Sequence, residues 1–116
     1  MINENKAMAL GALTAPASEE DAVARLAEYT ASEPTTGMIG LKFASVYQFT
    51  HALRETGWKI LEEKSILSSD MAETISIKAK QVVTLRILVN QFRNGSADVI
   101  NTAVVDENAD NDDIWK

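Results

Sequence analysis

His51 is the only histidine in the 116-residue chain, and cysteine is absent. The missing cysteine removes disulfides, thiolate zinc sites, iron–sulfur clusters and cysteine nucleophiles together. The single histidine excludes a metal site built on two histidines of one chain. His51 follows Thr50, a position on an apolar stripe described below, and its plain reading is a boundary histidine on a helix. Its chemical readings are a pH-sensitive group or half of a metal site shared between subunits. Adjacent carboxylates stand at Glu19/Glu20, Glu62/Glu63 and Asp112/Asp113. Neighbours on a helix point about 100° apart, so such pairs do not converge on one substrate and read as solvated faces. The phosphate-binding glycine loop, H-E-x-x-H, G-x-S-x-G and the dinucleotide fingerprint are all missing. The expectation is a protein that is not an enzyme and carries no cofactor.

The last eleven residues hold the most motif-like series. Asp106, Asn108, Asp110 and Asp112 alternate as the first ligands of an EF-hand calcium loop do, with Asn111 where such loops carry glycine. The bidentate glutamate that closes the loop would fall beyond Lys116, so the four are weak calcium candidates and no metal site is expected. Ile114-Trp115 follows them. Tryptophan is frequent among binding hot spots, so Trp115 reads either as a docking anchor or as a residue folded back onto its own domain. Lys78, Lys80, Arg86 and Arg93 form a thin basic side without interleaved aromatics, a poor nucleic-acid surface.

The net charge of −6 is unevenly spread. Residues 1–37 carry six acids against two bases, 38–105 six against eight, and 106–116 five against one. Acidic ends repel phosphate and argue against nucleic acid as the partner. No apolar run approaches the ~18 residues of a membrane span. The start, with Lys6 and the weak apolar stretch Ala7–Leu13, does not resemble a cleaved signal peptide. Localisation is thus read as cytoplasmic, or exported without such a peptide.

The elements that would position these groups read as helices. Residues 1–17 form a loose N-terminal segment, 18–105 a single helical domain with helices over about 18–32, 38–64 and 70–105, and 106–116 an acidic C-terminal tail. Ser18 is a good N-cap before Glu19, Glu20 and Asp21, and Pro34 ends that first segment. Ile39, Phe43, Val46, Thr50, Leu53, Gly57 and Ile60 step by four and three, with a break at Thr56–Gly57. Ser65–Ser69 reads as a turn and Ser69 as the next cap. Met71, Ile75, Lys78, Val82, Leu85, Val89, Phe92, Ser96, Val99 and Ala103 repeat the four-three stepping, and eight of the ten are apolar, which favours a long helix with a helical partner. The expected fold is all-α: a helical hairpin or small bundle.

One competing reading is an α+β fold. Val83, Leu85, Ile87 and Val89 alternate, many neighbours are β-branched, and Asn94-Gly95 is a strong hairpin signal. The unbroken stepping through Met71–Phe92 favours the helix.

Function follows from the stripes. The expectation is a structural or assembly subunit that packs through Val82, Val83, Leu85, Ile87, Val89 and Phe92, by self-association or within a larger complex, with Trp115 as a further contact. The alternative is an acidic adaptor or inhibitor that binds one target protein through its tail.

Overall fold

The computed structural model describes residues 15–105. They form α1 (Glu19–Thr30), β1 (Lys42–Phe43), α2 (Val46–Glu55), β2 (Lys59–Ser68), β3 (Ala72–Lys80), β4 (Thr84–Phe92) and β5 (Ala97–Val105). The five strands make one sheet in the order β1-β5-β4-β3-β2, antiparallel at every pair. Strands β2 to β5 are a meander, and β1 closes against the far side of β5.

Both helices begin on serine caps. The Asp21 N–H donates to Ser18 Oγ at 3.1 Å and the Gln48 N–H to Ser45 Oγ at 2.9 Å. Gln48 also reaches back to accept the Ala44 N–H at 2.7 Å, a near capping box. Helix α2 ends on a Schellman turn. The Trp58 N–H donates to the Leu53 carbonyl, the Gly57 N–H donates to that of Arg54, and Gly57 sits at φ +99°. Leu53 and Trp58, the apolar pair that accompanies such a turn, are both buried.

Helix α2 links β1 on one edge of the sheet to β2 on the other, so it must cross the sheet. Ten residues of helix span about 15 Å and five strands about 19 Å, so the helix together with residues 44–45 and 56–58 on either side spans the sheet. Its face of Val46, Phe49, Ala52 and Leu53 joins Ala22 and Leu26 of α1 and Ile75, Ile77, Ala79, Leu85, Ile87, Val89, Ala97 and Val99 of the strands in one core. The Phe43 and Phe49 rings meet at 5.0 Å between centroids, tilted by 44°.

The all-α hairpin or bundle is therefore overturned, and with it the helical hairpin and coiled coil. The four-three stepping of residues 71–103 crosses three strands. Ile75 and Val89 lie opposite each other in the sheet, as do Ala79 and Leu85. Leu85, Ile87 and Val89 are buried by period two, while the supposed seam residues Met71 and Val82 are 72% and 92% exposed in turns. The β3–β4 turn at Gln81–Val83 contains no glycine, proline, asparagine or aspartate, so nothing in its composition announces it. Ser69 does serve as a local cap, accepting the Met71 and Ala72 N–H groups, but it closes the β2–β3 turn instead of opening a helix. Asn94-Gly95 turns β4 into β5. The Gly95 N–H donates to the Phe92 carbonyl, the Phe92 N–H to that of Ser96, and Gly95 alone takes positive φ, which is a three-residue loop ending in a bulge.

Two outcomes separate this fold from a heptad helix. Ile87→Ala lowers the unfolding free energy by about 2–5 kcal/mol, whereas Val82→Asp changes it by less than about 0.5 kcal/mol, both measured by urea denaturation. Gly57→Ala costs about 1–2 kcal/mol in the same assay, because a side chain at that φ is strained.

Candidate functional site

The helices cover one face of the sheet. On the other, side-chain alternation and register gather a set of polar rows. Glu62, Lys78, Arg86 and Ala103 form one row from β2 to β5, and Lys64, Ser76, Leu88 and Asn101 the next. Together with Ile66 and Thr102 they line a hollow of about 600 Å³. A further row, Lys59, Lys80, Thr84 and Val105, lies at the end of the sheet where β5 finishes.

The charge here is strongly asymmetric. Lys64, Lys78 and Arg86 face the hollow with a single carboxylate, Glu62. The Arg86 side chain is 15% exposed, and its Nη1 donates to Ser76 Oγ at 2.8 Å. Ser76, 1% exposed, thus fixes one side of the guanidinium from below. Glu62 Oε1 stands 3.7 Å from Arg86 Nη1 and Glu62 Oε2 stands 3.6 Å from Lys64 Nζ. Those separations make ion pairs and not hydrogen bonds, so another carboxylate can exchange for Glu62 at little loss. Toward the opposite end the face is internally matched: Lys42 Nζ meets Asp98 Oδ2 at 2.6 Å, and Thr74 Oγ1 donates to Asn90 Oδ1 at 2.8 Å. Among the described residues, lysine and arginine are thus concentrated on the half of the face nearest the end of β5.

The residues singled out by sequence are dispersed. His51 lies on α2, on the helical side, with Nε2 3.3 Å from Glu19 Oε1 and its ring stacked on Tyr47. Glu62 and Glu63 alternate across their strand, Glu62 into the hollow and Glu63 opposite Ile77. No cluster of three or more His, Cys, Asp or Glu suited to a metal occurs among the described residues. Lys78, Lys80 and Arg86 do share a face, while Arg93 sits in the β4–β5 turn. Leu85, Ile87 and Val89 belong to the protein's own core, Val83 packs against it, Val82 projects from a turn and Phe92 ends β4. The calcium-loop candidates Asp106, Asn108, Asp110 and Asp112, together with Trp115, lie outside the described residues. Lys64 and Ser76 went unread in the sequence, and Glu62 was read only as half of a solvated carboxylate pair. Their signal was the alternation of Lys78, Lys80 and Arg86 with buried neighbours, which a helical projection obscures.

No helix among the described residues is long and apolar enough to cross a membrane. The chain matches no protein-family model, and neither the curated proteins nor the solved structures contain a significant match to it.

Ser76→Ala removes the acceptor beneath a largely buried guanidinium. A loss of about 1.5–3 kcal/mol is expected for a hydrogen bond to a charged group, read from urea denaturation.

Proposed function

We propose that this chain is a non-enzymatic, adaptor-type protein that binds one protein partner, and that the hollow receives an acidic stretch of that partner. The observation that carries the reading is the excess of Lys64, Lys78 and Arg86 over Glu62 on the sheet face that no helix covers. Lys59 and Lys80 extend the positive field along the adjoining row.

The lining is suited to binding and not to transformation. The Ser76 hydroxyl accepts from Arg86 and the Thr102 hydroxyl donates to the Thr35 carbonyl. His51, the only histidine, is held on the helical side, so neither hydroxyl has a histidine base beside it. A nucleic-acid partner fits less well. The hollow presents no aromatic side chain on which a base could stack, and the chain as a whole is acidic. Leu88 and Ala103 supply apolar surface among the cations and Ile66 an apolar rim, which favours a peptide of mixed acidic and aliphatic residues over a bare anion.

Assembly through apolar helix stripes has lost its helices. The adaptor reading keeps a role for the acidic residues 106–116, whose charge suits a second contact with a basic surface of the same target.

The probe is a fluorescein-labelled decapeptide of alternating glutamate and leucine, followed by anisotropy. Binding is expected to weaken as salt rises. The Lys64→Glu/Lys78→Glu double variant is expected to bind at least about ten-fold more weakly, equivalent to roughly 1.4 kcal/mol. Both lysines are surface residues, and circular dichroism checks that the variant is folded. Unchanged affinity in a folded double variant rejects the hollow as the acidic-peptide site.

A further inference from the structure

We infer that a second copy of this chain pairs with the open edge of β5, strand against strand, so that residues 101–105 of two copies join two sheets into one. The pairing is independent of what the hollow binds.

Strand β1 covers only the start of β5. It pairs with Ala97 and Asp98. Just beyond it the Gly40 N–H donates to the Val99 carbonyl and the Val99 N–H donates to that of Leu41. The backbone groups of Val99 therefore point away from β4, as those of alternate residues do in an antiparallel ladder. Val99, Thr102 and Val104 oppose Val89, Ile87 and Leu85, every second residue of β4, with Ile100 as the extra residue of a bulge. Thr102 and Val104 thus turn their backbone the same way as Val99. Among the described residues no backbone group bonds them from that side. The Thr102 N–H finds only the side chain of its neighbour, Asn101 Oδ1 at 2.9 Å.

This stretch also lacks the protection of the opposite edge. Strand β2 carries Lys59, Glu62, Glu63 and Lys64 and two interruptions of its pairing. Residues 100–105 hold no charge, proline or glycine, and Val104 is 59% exposed. A neutral edge with outward N–H and C=O groups is a template for another strand.

The edge is complementary to itself. When Thr102 of one copy opposes Val104 of the other, the two-fold axis repeats the pair and Ala103 meets its own counterpart. Each of the two pairs exchanges two backbone bonds, four in all. Val105 of the copy then lies opposite Asn101, so the added strand stops short of Gly40, which already holds Val99. Setting Thr102 against itself would instead bring the copy's Val105 onto Val99 and into Gly40. The axis stands perpendicular to the joined sheet, which puts both helical layers on one side and both hollows on the other. The two Arg86 residues are then three strand spacings apart, about 14 Å.

Sedimentation equilibrium of the full chain between about 10 and 500 μM is expected to show a reversible monomer–dimer equilibrium, as befits a small interface. Val104→Pro removes an outward N–H and no bond to β4, the setting in which edge strands accept proline. It is expected to weaken the dimer at least about ten-fold, with an unchanged circular dichroism spectrum. Ala103→Lys and Ala103→Glu each set like charges directly opposite at the axis, and each alone is expected to be monomeric. An equimolar mixture of the two is expected to recover the dimer, because opposite charges now face each other. A wild-type chain that stays monomeric across this range overturns the inference. So does a dimer that persists in the folded Ala103→Lys variant, since it must then form through another surface.

Discussion

The passage of α2 across the sheet is the constraint on which the remaining architecture depends. One connection must run from β1 at one edge to β2 at the other, and the ten helical residues make most of it, with the short loops at either end supplying the rest. Ser45 and Gln48 set where the helix starts, and the Gly57–Trp58 turn sets where it stops. Between them Phe49, Ala52 and Leu53 fall on one side and seal the centre of the core. Without the crossing, Ile77, Leu85 and Ile87 would lose the layer that buries them.

That crossing occupies one face only. A single sheet has two, and the described chain has no further helix with which to cover the second. The uncovered face must therefore be compatible with water, and alternation supplies lysine, arginine, serine and asparagine at every other position of the strands. The same alternation that buries Ile77 and Ile87 delivers Lys78 and Arg86 to the opposite side as a pair. Core formation and the cationic hollow are two consequences of one register, and a one-residue slip would exchange them.

The free edge of the sheet shows a complementary restraint. Strand β2 carries Lys59, Glu62, Glu63 and Lys64, and its pairing is interrupted around Leu61 and again around Ile66. Charges and bulges of this kind discourage edge-to-edge pairing. They disfavour strand addition along β2. The second bulge also brings Ile66 to the rim of the hollow, giving a charged surface an apolar border.

Local chemistry was legible in the residues themselves. Ser18 before Glu19-Glu20-Asp21 announces a helix start, Thr56–Gly57 a break, Ser65–Ser69 a turn and, in the competing reading, Asn94-Gly95 a hairpin. Each of these sites makes its hydrogen bonds within a few residues, so its sequence neighbours contain all the partners it needs. The absence of cysteine and the isolation of His51 limited the chemistry available in the same direct way. The period of residues 71–103 was not decidable locally. Leu85 and Val89 stand four apart, a spacing that satisfies both a helical stripe and one face of a strand. What resolved it was a turn at Gln81–Val83 with no turn residue in it, a turn that exists because Ile75 finds Val89 and Ala79 finds Leu85 across β3 and β4. The hollow lay equally beyond sequence reading, since Glu62, Ser76, Arg86 and Ala103 come from four strands. Composition and capping determined where the chain can bend and which chemistries it lacks. Which side chains share a face was decided by long-range strand pairing, because only pairing sets register, and register assigns each side chain to the core or to the open surface.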